Sequence, residues 1–138
     1  MLIPDEYVTN ISERYNLYTE ISKLENEDQL TDFAVSLEDR FGPIPHEVFE
    51  LFNTLRLQWF GKQLGFEKIS YKKNTLKGYF VNNPKSSYFE SDQFGKVLSF
   101  VQQHPEISNL KEIKKQLRLA LSNVNSIGYA LKLLKEMV

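Results

Sequence analysis

Two histidines, His46 and His104, are the only imidazoles in the chain, and each stands beside a proline. There is no cysteine, so thiolate metal sites, disulfides and cysteine nucleophiles are excluded. Neither histidine belongs to a His-x-x-x-His pair or to a carboxylate cluster, and no metal site is expected. Serines are numerous, but none lies in a Gly-x-Ser-x-Gly turn. Acid pairs such as Glu25/Glu27 and Glu38/Asp39 read as solvated helix positions, with nothing to push two pKa values apart as acid–base catalysis requires. Neither a catalytic residue nor a cofactor is expected in this chain.

Residues 39–45, DRFGPIP, put an acid, a base, an aromatic, a glycine and two prolines into seven positions. A phosphate-cradling loop would need Gly-x-x-x-x-Gly-Lys-Ser/Thr after a strand, which is absent here. The residues spell a stop, a bend and a restart. Gly42 follows the last periodic apolar residue, Pro43 cannot continue a helix, and Pro45 suits a first helical turn. Arg40, Phe41, Gly42 and Pro45 are therefore read as a structural corner.

Two basic clusters remain, Lys68, Lys72, Lys73 and Lys77 in one and Lys111, Lys114, Lys115 and Arg118 in the other. With Tyr71 and Tyr79 they could track a nucleic-acid backbone, the cations releasing counterions and the rings stacking on bases. Lysines also guard sheet edges against pairing with other chains. A formal net charge of −1 gives no global pull toward polyanions and favours the edge-guarding reading.

The elements that must carry these residues follow from periodicity. Asn10 with Glu13 forms an Asn-type capping box for a helix over 10–24, whose stripe is Ile11, Tyr15 and Tyr18, widened by Ile21. Arg14 falls inside that stripe and must snorkel or find an acceptor. Asn26 opens a helix over 27–41 with Leu30, Phe33, Ala34, Leu37 and Phe41 inward. At 100° per residue Asp32, Ser36 and Asp39 lie on its other side with Val35 beside them, an acidic strip with one exposed valine. Such a strip is either a solvated helix face or a contact surface. A third helix over 45–64 is apolar on most of its circumference, as a sandwiched helix is, and Gly65 ends it.

Beyond Gly65 the texture is β-like. FEKISYKKNTLKGYFV reads as a hairpin with Lys-Asn-Thr at its tip, Ser91 caps a helix to Gln103, and the alternation of Leu117, Leu119 and Leu121 makes a second hairpin of 107–122. Helix returns from Asn125 to Met137. The expected class is α+β, with three N-terminal helices followed by hairpin, helix, hairpin and helix, in a single domain over 1–138.

At 138 residues, 41% hydrophobic and 25% charged, the chain has the composition of a soluble globular domain. A chain this size buries roughly 68% of the surface its unfolded form exposes, enough for a proper core. No apolar run approaches the ~20 residues that cross a bilayer, and no targeting segment is evident, so a cytoplasmic location is expected.

An ordered series of residues carries a resemblance. Ile3-Pro4-Asp5, Arg14, Tyr18, Leu37, Asp39-Arg40-Phe41-Gly42, Pro45, Leu55-Arg56 and Leu64-Gly65 stand where the C-terminal domain of bacterial transcription-repair coupling factor places such residues. The similarity is good over roughly residues 1–70, through LIPDEYV, ISERYNLYTEIS, LTDFAVSLEDRFGPIP and LFNTLRLQWFGKQLGFEKI. The remainder matches only as a succession of elements.

The resemblance implies a C-terminal fragment of a larger multidomain translocase. That family moves on double-stranded DNA at the expense of ATP, releases RNA polymerase stalled at lesions and recruits the damage sensor of nucleotide excision repair, excinuclease A. Its motor motifs are absent here, so this chain is not expected to hydrolyse ATP. The resemblance further implies a regulatory, autoinhibitory domain that packs on the parent's N-terminal excinuclease-B-like module and masks the surface that binds the damage sensor. Asp32, Val35, Ser36 and Asp39 would make that interdomain contact, Asp39 at a matching position and Ser36 where an acid is expected. A DNA-binding accessory domain using Lys68, Lys72, Lys73 and Lys77, and a generic protein-interaction module, are the alternatives.

Overall fold

Short polar side chains start the helices. Asn10 accepts the Glu13 N–H at 3.0 Å, Asn26 that of Gln29 at 2.9 Å, Ser91 that of Phe94 at 3.2 Å and Ser126 that of Tyr129 at 3.1 Å. Each supplies an acceptor to a first-turn donor that the helix itself leaves unpaired. A computed structural model describes residues 2–138. It contains the helices α1 (Ile11–Ser22), α2 (Glu27–Phe41), α3 (His46–Leu64), α4 (Asp92–Gln103) and α5 (Ile127–Met137) and the strands β1 (Phe66–Lys72), β2 (Thr75–Phe80), β3 (Ser108–Ile113) and β4 (Gln116–Leu121). The class is α+β, and its elements follow the expected order. The chain divides into two compact units, Met1–Leu55 and Arg56–Val138.

In the first unit Leu17 and Ile21 of α1, Leu30 and Leu37 of α2 and Val48, Phe52 and Leu55 of α3 are buried. The expected stripe on α1 is corrected here, because Ile11 is 75% and Tyr15 72% exposed. Arg14 lies between them, and burying that stripe would carry its charge inward. The helix buries the expected Ile21 together with Leu17. Arg14 then stays at the rim, its guanidinium donating to the Val8 carbonyl at 2.7 Å and lying 3.5 Å from Asp5.

α3 changes its buried stripe along its length. Val48, Phe52 and Leu55 recur at helical spacing in the first unit, and Leu57, Gly61 and Leu64 do so in the second. Two stripes in different phase account for a helix that reads as apolar nearly all round.

The second unit is a four-stranded antiparallel sheet of order β1-β2-β4-β3, with α4, α5 and the end of α3 supplying the apolar side chains of its core. Both hairpins turn on two residues with positive φ, Lys73-Asn74 (50° and 61°) and Lys114-Lys115 (51° and 67°). This is the pattern of the mirror-image turns that match strand twist. The first tip is thus Lys73-Asn74, and the expected tip residue Thr75 already pairs with Lys72. Alternation along β2 and β4 points Leu76, Phe80, Leu119 and Leu121 inward. A short 3-10 helix, Ser87–Glu90, brings Tyr88 and Phe89 onto Phe80 and Phe94.

Candidate interaction surface

The corner after α2 works through one backbone conformation. Gly42 has φ 90° and ψ −169°, a region populated essentially by glycine alone. Its N–H donates to the Glu38 carbonyl at 2.8 Å and its own carbonyl accepts the Tyr7 hydroxyl at 2.8 Å. The Tyr7 ring meets Phe41 at 6.0 Å, and the Arg40 guanidinium lies 4.9 Å from the centre of the Phe41 ring. Burial, with a smaller contribution from the Glu38 charge, raises the Tyr7 pKa and keeps the hydroxyl a donor. The Pro45 carbonyl accepts the N–H groups of Val48 and Phe49, so Pro45 precedes the first helical residue, His46.

Gly42→Ala is expected to cost about 1–3 kcal/mol, read as a lower midpoint in urea. A Cβ there would meet no atom within 4 Å, so the loss is purely conformational. Gly42→Asn should give no rescue, because Asn relieves the left-handed helical region and this ψ lies outside it.

The corner ends α2 and so sets which way its outer side points. Asp32, Val35, Ser36 and Asp39 are all exposed, Val35 at 58%. Spacings of three and four residues make them mutual neighbours, with Cβ atoms roughly 5–6 Å apart. Leu30 and Leu37 hold the helix from its other side. Among the described residues no cation lies within ion-pair distance of Asp32 or Asp39. The result is a small ridge of two unneutralised carboxylates around one solvated valine. It can accept charge-assisted hydrogen bonds and cover an apolar contact.

The histidines lie in different units. His46 meets Glu50 one helical turn on at 3.4 Å, and His104 stacks on Phe100 with Glu136 at 3.7 Å. Among the described residues no three His, Cys, Asp or Glu side chains converge as metal ligands. An open cleft of about 760 Å³ along α4, lined by Lys96, Ser99, Phe100, His104 and Glu136, brings one imidazole and one carboxylate together without an activated nucleophile. No described helix is long and apolar enough to cross a membrane.

The two lysine clusters are not one track along their turns. β2 and β4 are antiparallel with Leu76 opposite Leu121, so the turn at Lys73 and the turn at Lys114 and Lys115 lie at opposite ends of the sheet. What the register does bring together is Lys68, Tyr79, Arg118 and Lys111, in one row across four strands. Sequence reasoning grouped these residues by proximity along the chain and could not see the row, which depends on the β2–β4 pairing.

The family model of the TRCF domain matches residues 1–91. The transcription-repair-coupling factor of Borreliella burgdorferi is 27% identical over 123 residues, covering 88% of this chain and 10% of that protein. The Escherichia coli K12 protein of the same name is 31% identical over 68 residues, 49% of this chain and 6% of that protein. The Myxococcus xanthus one is 40% identical over 50 residues, 36% of this chain and 4% of that protein. The chain thus spans no more than about a tenth of the length of these relatives. A crystal structure of the C-terminal domain of transcription-repair coupling factor superposes with a TM-score of 0.74 at 19% identity, covering 99% of this chain and 83% of that one, which shows a shared fold.

Proposed function

The chain belongs to the TRCF domain family, and from that premise we propose that it is a releasable clamp, a regulatory domain whose ridge at Asp32, Val35, Ser36 and Asp39 docks on a basic surface of its parent polypeptide. The observation that carries the reading is the ridge itself: exposed carboxylates left without a cation on a helix otherwise well anchored from behind. The docking surface is the excinuclease-B-like module near the parent's N-terminus, and the docked clamp covers the site for the damage sensor, excinuclease A. The parent is an ATP-driven DNA translocase that acts in the cytoplasm on stalled RNA polymerase. This chain contributes no catalytic residue to it.

Weak polar contact suits the role. Exposed ion pairs contribute roughly 0.2–1 kcal/mol each, so a few can hold a lid that a conformational stroke still lifts. Ser36 removes one charge from the ridge and makes the clamp easier to release. Because docking and partner binding exclude each other, loosening the clamp raises partner affinity by the same coupling free energy, typically ~1–3 kcal/mol.

Asp39→Arg in the full-length protein is expected to raise binding of the damage sensor by about tenfold while leaving the helix content unchanged. Isothermal titration against purified excinuclease A checks it. Unchanged affinity in a folded variant would sink the clamp.

A further inference from the structure

The open face of the sheet holds a row of residues that stability does not explain. Register pairs Lys68 with Tyr79, Tyr79 with Arg118 and Arg118 with Lys111, so four side chains stand side by side across β1, β2, β4 and β3. At the ordinary strand spacing the row spans roughly 14 Å. All four project away from the apolar core, since Leu76, Phe80, Leu119 and Leu121 take the alternate positions. The Lys68 ammonium lies 5.5 Å from the Tyr79 ring centre. One step along the strands, Lys77 adds another cation opposite Ala120.

Edge guarding accounts for Lys68 and Lys111, which are on the outer strands β1 and β3. It does not account for Lys77 and Arg118, because β2 and β4 are interior strands with both edges paired. Arg118 and Lys111 are directly opposite each other, an arrangement of like charges that weakens a strand pair. Among the described residues no carboxylate lies within ion-pair distance of Lys68, Lys77, Lys111 or Arg118. The one acid at the neighbouring bulge, Glu67, is engaged by the Asn82 N–H at 3.1 Å and by the Gln116 side-chain amide at 3.3 Å. The Arg118 Nε is enclosed and has no acceptor.

We propose that this row is a binding site for single-stranded nucleic acid, with phosphates held by Lys68, Arg118 and Lys111 and a base laid against Tyr79. The charge is complementary to a phosphodiester chain, and an aromatic side chain on an open sheet is the usual platform for an unstacked base. A duplex would engage the cations but leave the ring without a partner. The site is on β1–β4, remote in sequence from the ridge of α2, and does not depend on the clamp.

The test is fluorescence anisotropy of a labelled oligothymidylate with the 138-residue chain. Three phosphate contacts predict that log K falls with log salt at a slope of about −2. Lys68→Gln/Arg118→Gln/Lys111→Gln should weaken binding by at least roughly tenfold, and Tyr79→Ser by several-fold on the single strand with little change on duplex DNA. Circular dichroism confirms that each variant is folded, and Asp39→Arg should bind the oligonucleotide unchanged, which separates this site from the clamp. Failure of the folded wild-type chain to bind at low salt, or binding that survives the triple substitution, would overturn the proposal. Duplex affinity equal to that for the single strand, with no effect of Tyr79→Ser, would overturn it as well.

Discussion

Phe80→Ala is expected to destabilise the protein by about 3–5 kcal/mol, the largest loss from any single truncation in the sheet. Phe80 has no exposed surface. Its ring centre lies 4.8 Å from that of Phe66, 5.5 Å from Phe94, 5.8 Å from Tyr88 and 6.4 Å from Phe89, so its removal takes one wall from each of four neighbours at once. Those neighbours come from β1, α4 and the short 3-10 helix, and they cannot all collapse into the same void. Urea denaturation gives the number. A loss near 1 kcal/mol would mean that the cluster repacks around the gap. Phe49→Ala is the internal control, since Phe49 is 49% exposed and about half of its surface is already hydrated.

Gly65→Ala should come second, at about 3 kcal/mol or more and a fall in Tm of roughly 10 °C. Two separate penalties meet at this residue. Its φ is 95°, where a side chain is strained, and a Cβ would lie 2.2 Å from a ring carbon of Tyr88. Tyr88 cannot step aside easily, because its hydroxyl donates to the Leu64 carbonyl and its ring is packed against Phe80, Phe89 and Phe94. Burial pushes the Tyr88 pKa up to about 12, so the hydroxyl keeps its proton and that bond through the ordinary pH range. Gly65→Ala/Tyr88→Ser should lose less than the sum of the single variants, since removing the ring relieves the crowding but not the strained φ. Strict additivity would show that the collision carries no weight.

Local chemistry was the legible part of this fold. Asn10, Asn26 and Ser91 announce helix starts because a short acceptor before a periodic apolar run has few other uses, and Gly42 and Gly65 mark helix ends for the complementary reason. The second hairpin was legible in the alternation of Leu117, Leu119 and Leu121 despite the helix preference of its residues. What failed was where several elements compete for one side chain. Ile11 and Tyr15 have the spacing of a buried stripe, and only the place of Arg14 among the Val8 and Thr9 carbonyls decides against it. Tyr88 and Phe89 drew no expectation from the sequence, because a single 3-10 turn carries no periodicity. The ridge of α2 was visible from spacing alone, whereas the row from Lys68 to Lys111 required the pairing of β2 with β4, a long-range contact that no local pattern encodes.

α3 belongs to both units, and this limits how the molecule can be divided. A cut at the Leu55–Arg56 boundary would split a 19-residue helix into two stubs, each shorter than the ~12–15 residues at which an isolated helix begins to hold in water. Each stub would keep the buried side chains of its own unit, Val48, Phe52 and Leu55 in one and Leu57 and Leu64 in the other, but would end in a newly opened helix terminus with unpaired backbone groups. A division of the chain that keeps its helices whole therefore has to fall outside His46–Leu64.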